Sequence, residues 1–151
     1  MNAAVAYASP MEDAQLTFAS LAPVPGERFV TLRRQLGVES FGINLIVLEP
    51  RQRGRIHAHD RQEEVYIVLE GELSLHVDGG AVHTLGSGQA VRVGPALRRQ
   101  LVNAGEQRLV LLALGGSGRH AGRDGGAWEA WEDSGPGRAP QEVPLPEDLP
   151  A

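Results

Sequence analysis

The sequence contains no cysteine and no long run of apolar residues, and only 5% of its 151 residues are aromatic. The absence of cysteine excludes disulfides, thiolate metal ligands and a cysteine nucleophile. No apolar run approaches the roughly 18 residues that a membrane span requires. The N-terminus also lacks a basic segment followed by an apolar one, so we expect neither a membrane partner nor a secretory signal. The simplest expectation is a cytoplasmic protein.

An excess of basic residues is also lacking, since the formal net charge is -5. A protein that binds a nucleic-acid backbone needs a basic face. We therefore expect no nucleic-acid partner.

Glycine and proline, in contrast, are abundant, with 19 and 10 residues respectively, while the hydrophobic fraction of 42% is ordinary for a globular chain. The length suits one domain with a real core. Frequent turn residues between short alternating apolar segments predict an all-β protein, a small barrel or a jelly roll.

The pattern divides the chain into an arm, a barrel and a tail. Residues 1–26 have no clear period, and within them 12–21 predict either a short helix or an arm that lies against the domain. Residues 27–115 carry the strand patterns, and 41–48 is apolar enough to be covered on both faces. The predicted strands are 28–36, 41–48, 64–69, 72–77, 81–85, 89–93, 99–103 and 107–114.

Residues 116–151 are predicted to be a glycine- and proline-rich tail. Trp128 and Trp131 are three positions apart, which predicts a short helical turn at 127–132 that docks on the barrel. The remainder, 135–151, contains five prolines and several acids, so we expect a flexible or extended segment.

The segment from Gly54 to Gly71 contains the residues best suited to chemistry. His57 and His59 are two positions apart, so in a strand they point to the same face. Glu64 opens the next apolar run, and antiparallel pairing of the two strands would bring the three side chains together. Two imidazoles and one carboxylate suit zinc, iron(II), manganese or nickel. By counting alone Glu63 is an alternative ligand.

The spacing in this segment resembles the first motif of the cupin family, which is His-x-His, three or four residues, Glu, six residues, Gly. His57, His59, Glu64 and Gly71 fit it in full. The resemblance implies a cupin-type jelly-roll β-barrel that is frequently dimeric. It also implies that His57, His59 and Glu64 are metal ligands inside the barrel.

The second cupin motif is degenerate in this chain. Gly88 and Asn103 match it, whereas Gln89 stands where aspartate is usual. The turn 94–96 is Gly-Pro-Ala, a shuffled form of the family's Pro-x-Gly, and Arg99 stands where the fourth ligand, a histidine, is expected. Cupins include dioxygenases, isomerases and decarboxylases as well as binding and storage proteins, so the resemblance does not choose a reaction.

Arg99 leaves three alternatives, because a protonated guanidinium has no lone pair for a metal. In the first, a divalent metal is held by His57, His59 and Glu64, and Arg99 grips an anionic group of the substrate. In the second, no metal binds, and Arg99 pairs with Glu64 beside neutral histidines. In the third, Arg99 swings to the barrel mouth. Tyr66 shares the inward face of Glu64, where it either packs in the core or offers its hydroxyl to a substrate.

These alternatives give two functional hypotheses. The first is a homodimeric, metal-dependent cupin, such as a dioxygenase or an isomerase, that acts on or binds a small molecule through Arg99 and Tyr66. Arg99 favours an anionic molecule in this role. The second is a metal-free cupin that binds or senses a small molecule. The arginines at 51, 53 and 55 are interpreted as a solvated loop.

Overall fold

The computed structural model describes residues 15–116 and 124–151, and within these ranges the chain is built almost entirely of β-strands. A short helix α1 and one 3-10 turn, Pro140–Glu142, are the exceptions. The elements are β1 (Phe29–Thr31), α1 (Leu32–Leu36), β2 (Gly42–Leu48), β3 (Ile56–His59), β4 (Glu63–Glu70), β5 (Glu72–Val77), β6 (Val82–Gly86), β7 (Ala90–Val93), β8 (Arg99–Val102), β9 (Leu109–Gly116) and β10 (Gly125–Trp128). Among these residues, no helix is long and apolar enough to cross a membrane.

The strands form two five-stranded antiparallel sheets. The first has the order β1-β2-β9-β4-β7 and the second the order β10-β3-β8-β5-β6. Side chains from both sheets share one apolar cluster, which includes Ile46, Tyr66 and Leu75, so the core lies between the sheets. This double-sheet arrangement confirms the predicted all-β, jelly-roll fold class.

A second apolar cluster covers the outer face of the first sheet. Leu45 and Val47 of β2 point into this cluster, together with Leu32 of α1, while Ile46 and Leu48 point into the main core. Strand β2 is therefore buried on both faces, which confirms the interpretation of its continuous apolar pattern.

The predicted strand at 28–36 is wrong in its second half, because the chain leaves β1 after Thr31 and forms α1. Leu32 and Leu36 are four positions apart, so they share one face of a helix, just as they would share one face of a strand. Gly37 ends α1 in the left-handed conformation, with φ at 69°.

The N-terminal arm is described from residue 15 onward, so 1–14 and the first part of the predicted helix lie outside the described residues. Residues 16–24 form no helix. The Thr17 hydroxyl donates to the carbonyl of Leu36, and Ala19 packs against the outer cluster. The segment thus lies along α1, as in the second alternative.

The predicted helical turn at 127–132 is wrong. Residues Gly125–Trp128 form β10 and pair with β3, and bends and a turn follow at 129–132. Trp128 contacts Arg98, whose guanidinium carbon lies 3.9 Å from the ring centroid. Tryptophan occurs in strands as well as in helices, so two tryptophans three positions apart do not distinguish a helix from a strand.

The C-terminal segment 143–150 runs along the arginines between β2 and β3. The carbonyls of Val143, Glu147 and Pro150 accept hydrogen bonds from the side chains of Arg55, Arg53 and Arg51 respectively, at 2.6–2.7 Å. The three arginines are therefore not a freely solvated loop. They hold the extended end of the chain, which no local sequence pattern indicated.

Candidate metal centre

The three first-motif side chains converge from opposite sheets. His57 and His59 belong to β3 in the second sheet, and Glu64 belongs to β4 in the first sheet. The side chains therefore converge without the β3–β4 pairing proposed from the sequence as a way to bring them together. The loop 60–62 carries the chain across from one sheet to the other.

The ligand atoms of His57, His59 and Glu64 all lie within 4.8 Å of one another. Oε1 of Glu64 is 2.5 Å from Nε2 of His59 and 3.3 Å from Nε2 of His57. The three side chains are 12–23% exposed, so they are sheltered but reachable. Glu63, the alternative carboxylate, instead pairs with Arg92 on the surface.

The second ring nitrogen of each histidine lies close to an oxygen atom of another residue. Nδ1 of His57 lies 3.1 Å from the carbonyl oxygen of Arg55, and Nε2 of the same ring lies on the side of Glu64. Nδ1 of His59 is buried without a hydrogen-bond partner among the described residues and lies 3.8 Å from a carboxylate oxygen of Asp124. A hydrogen bond such as that of His57 fixes the ring orientation of a metal-binding histidine.

Arg99 lies behind Glu64 rather than at the barrel mouth, so the third alternative is wrong. It is directly opposite His57 in the β3–β8 register, and it is 0% exposed. Its Nη2 donates to Oε1 of Glu64 at 2.5 Å, and its Nε donates to the Tyr66 hydroxyl at 3.3 Å. The Arg99–Glu64 pair of the second alternative is thus present.

The remaining donor nitrogen of Arg99 contacts the turn that precedes β8. Nη1 lies 2.9–3.4 Å from the carbonyl oxygens of Gly94, Pro95 and Leu97. Two of the three departures from the second cupin motif, the shuffled turn and the arginine, therefore contact each other. With every nitrogen of the guanidinium engaged by protein, Arg99 has no exposed surface with which to hold a substrate.

Tyr66 is also fully buried, and its hydroxyl lies 3.4 Å from Nε2 of His57. Burial raises the pKa of the Tyr66 hydroxyl, and the negative charge of Glu64 raises it further. The phenol therefore stays protonated and supports the histidine and the arginine from within the core. Tyr66 has no exposed surface with which to contact a substrate.

Opposing effects act on the carboxyl group of Glu64. Burial alone raises its pKa, but hydrogen bonds from His57 and His59 and the nearby positive charge of Arg99 outweigh burial, so the pKa lies well below its usual value. Glu64 is ionised under all ordinary conditions. The site thus supplies a carboxylate and two imidazole nitrogens, and this donor set fits a divalent metal of the kind named above.

Sequence reasoning missed Asp124, whose carboxylate accepts hydrogen bonds from the backbone N–H groups of Arg61 and Gln62 and orders the loop after β3. It comes 62 positions after Gln62, beyond the reach of any local pattern. Asn103, which matches the second motif, donates to the carbonyls of Leu48 and Gln107, so it ties loops together and does not face the metal centre.

Comparison with known proteins agrees with this fold. The sequence profile of the cupin domain matches residues 44–115, which contain all three candidate ligands and Arg99. A comparison with curated proteins returned no match. Over residues 44–115, just under half of the chain, the protein matches the cupin superfamily.

Solved structures show the same architecture. A cupin protein from Bacteroides fragilis is 22% identical, with a TM-score of 0.56 over 64% of this chain and 81% of the other. A protein with a double-stranded β-helix domain from Klebsiella pneumoniae is 18% identical, with a TM-score of 0.60 over 75% of this chain and 97% of the other. At these identities the likeness describes the fold alone.

A third similar structure carries a functional name. It is a cupin-superfamily sugar phosphate isomerase from Silicibacter pomeroyi, 26% identical, with a TM-score of 0.58. The match covers 68% of this chain and 65% of that isomerase, so about a third of the isomerase has no counterpart in the match.

Proposed function

We propose that this protein is a small cupin that binds a divalent metal through His57, His59 and Glu64 and acts on, or binds, a small anionic molecule. The observation that carries the proposal is the convergence of three complementary donor atoms within 4.8 Å. The sheltered position of the site between the sheets and the ionised state of Glu64 support it.

Three residues would contact the metal, and two others support them. His57 and His59 offer Nε2 lone pairs, and Glu64 offers a negative charge that offsets part of the charge of a divalent ion. Arg99 and Tyr66 hold Glu64 and His57 in place from the core side. With only these three protein ligands, the site would leave coordination positions open, and a metal held there would polarise water or a substrate oxygen.

An isomerase or a dioxygenase is the class of enzyme that such a centre suits. Support for isomerase chemistry comes from the sugar phosphate isomerase among the similar structures. Because that match covers only part of the other protein, the substrate class rests on this chain's own residues.

Metal analysis of the purified, untagged protein tests the proposal. We expect about one metal per chain by plasma mass spectrometry, and we expect His57→Ala to lose it. His83→Ala is the matched control, because His83 is exposed on β6, away from the centre. No metal in the parent protein after reconstitution with iron(II), zinc, manganese and nickel would refute the proposal.

The second candidate is a metal-free binding cupin. The observation that favours it is the 2.5 Å contact between Nη2 of Arg99 and Oε1 of Glu64, because this ion pair neutralises the site without a metal. In that case the barrel binds a small organic molecule beside neutral histidines. Failure of reconstitution together with saturable binding of an organic ligand would support this candidate over the first.

We also propose that the protein is a homodimer. Strand β1 lies at the open edge of the first sheet, and exposed apolar side chains accompany it, with Phe29 59% and Phe18 50% exposed. Light scattering should give twice the mass of the chain, and Phe29→Glu should convert the dimer to a monomer. Val82→Glu, on the opposite sheet at edge strand β6, should leave the mass unchanged.

A further inference from the structure

A cavity of about 270 Å³ opens beside the metal centre and is lined on one wall by His59 and Glu64. Of its other lining residues, all but Gln62 come from parts of the chain outside the first motif. These other lining residues are Thr31, Arg33, Gly42, Asn44, Gln62, Ala113, Gly115 and Asp124. The volume lies just below the ~300–1,000 Å³ of typical ligand pockets, so the cavity suits a small molecule.

Arg33 is the residue in this cavity whose charge is not matched by protein. Its Nε is buried without a hydrogen-bond partner, and within residues 15–116 and 124–151 no carboxylate pairs with its guanidinium. A buried donor on a charged group costs free energy unless something accepts from it. An anionic ligand would supply the acceptor.

The acidic residues of the cavity do not compete for this role. Glu64 is engaged by Arg99, and the Asp124 carboxylate accepts from backbone N–H groups of the loop after β3. Each carboxylate is therefore already satisfied by protein donors. Arg33 remains the cation on the cavity wall that is available to a ligand.

The local structure explains why Arg33, and not its neighbour, faces the cavity. Leu32 is fully buried in the outer cluster and fixes the orientation of α1, and Gly37 ends the helix. Arg33 then lines the cavity, while Arg34 is exposed and lies outside the cavity lining. Two adjacent arginines thus have different surroundings and provide an internal control.

We infer that Arg33 forms an anion subsite that holds the carboxylate or phosphate group of a small, hydroxylated ligand whose other end reaches His59 and Glu64. A guanidinium binds either oxyanion through paired N–H donors. Thr31 and Asn44 line the same cavity, and their side chains carry a hydroxyl and an amide, which suit hydroxyl groups of a ligand. The anion subsite itself stands on Arg33, whereas its use in catalysis rests on the proposed metal function.

Titration with two probe anions tests the subsite. Inorganic phosphate and glycolate are titrated into metal-depleted protein by calorimetry, with the parent, Arg33→Gln and Arg34→Gln compared. We expect saturable binding of at least one probe, weakened roughly tenfold or more by Arg33→Gln. Arg34→Gln should bind as the parent does. The probe with the higher affinity assigns the head group as phosphate or carboxylate.

The proposal is overturned if neither probe binds, or if Arg33→Gln and Arg34→Gln weaken binding equally. If Arg33→Gln does not fold, Arg33→Lys and Arg34→Lys replace the pair. Arg33→Lys keeps the charge but loses the paired geometry, so only it should weaken binding, and equal affinities would overturn the subsite.

Metal analysis on the same samples separates this proposal from the function proposed above. Arg33 is not a ligand, so Arg33→Gln should keep the metal content of the parent. Arg33-dependent anion binding in a protein that takes up no metal would refute the metal function alone. If the protein binds metal but Arg33→Gln leaves its anion affinity unchanged, only the subsite is refuted.

Discussion

Arg99 donates its hydrogen bond to Oε1 of Glu64, the same oxygen that Nε2 of both His57 and His59 contacts. The carboxylate is therefore shared between a buried cation and the two imidazoles that would ligate a metal. A bound divalent ion and the guanidinium would draw on the same negative charge. This sharing determines how both the stability and the metal affinity respond to substitution at Arg99.

Removing the charge of Arg99 should destabilise the protein strongly. Arg99→Met leaves Glu64 ionised and sheltered without its cation, and we expect a loss of about 3–5 kcal/mol in the free energy of unfolding. The measurement is urea denaturation of metal-depleted protein. Arg92→Met is the matched control, because Arg92 pairs with Glu63 on the surface, where the loss should stay below about 1 kcal/mol. Equal losses in the two variants would contradict the prediction.

Arg99→His should raise the metal affinity. The substitution removes a positive charge beside the centre and places an imidazole where the cupin motif has its fourth ligand. Two like unit charges repel by about 4 kcal/mol at 4 Å and an effective dielectric constant of 20, so removing part of such a repulsion is enough for a gain of more than tenfold. Competition with a chromogenic chelator measures it. A variant that is folded by circular dichroism yet binds metal no better than the parent would contradict the prediction.

Gly71→Ala should destabilise the fold more than Gly79→Ala. Both glycines have positive φ, at 80° and 89°. At Gly71 an added Cβ would also lie 2.3 Å from the backbone oxygen of Arg108, whereas at Gly79 nothing lies within 4 Å. Gly79→Ala should therefore cost only the conformational term of about 1–2 kcal/mol. Thermal unfolding measures both variants, and equal melting temperatures would count against a steric role for Gly71.

The C-terminal segment should loosen when its arginine contacts are removed. Arg53→Gln combined with Arg55→Gln deletes the side-chain bonds to the carbonyls of Glu147 and Val143. We expect faster hydrogen–deuterium exchange in residues 141–151, where the Leu149 amide donates to the carbonyl of Arg51. The control is Arg92→Gln, which is remote from this segment. Unchanged exchange in the double variant would show that packing, and not these bonds, holds the segment.

Much of the fold follows from the sequence, because alternating apolar residues and glycine turns are local signals. The Asp78-Gly79-Gly80 turn joins β5 and β6 as a hairpin, and β2 is apolar throughout because both its faces are covered. The error at Leu32 arises because two leucines four positions apart satisfy a strand and a helix equally. Only tertiary packing against the outer cluster decides between them.

The candidate ligands were also accessible to sequence reasoning, since His57, His59 and Glu64 lie within eight positions of one another. The sequence could not show that these side chains meet across two facing sheets, because ligands on paired strands would have the same spacing along the chain. Asp124 and Arg33 reach the cavity through long-range topology, so no spacing rule identifies them. The Arg99–Glu64 contact is one of the alternatives that the sequence allows. The structure, in which Arg99 is fully buried against Glu64, contains this contact.

Nη1 of Arg99 donates hydrogen bonds to carbonyls of the turn that precedes β8. A histidine at this position would leave those carbonyls without their donor, so the exchange is coupled to the turn residues at 94–97. Conversion to a four-ligand centre by single steps must pass through a weakened intermediate. A library that varies the turn and position 99 together should recover stable variants that single substitutions do not reach.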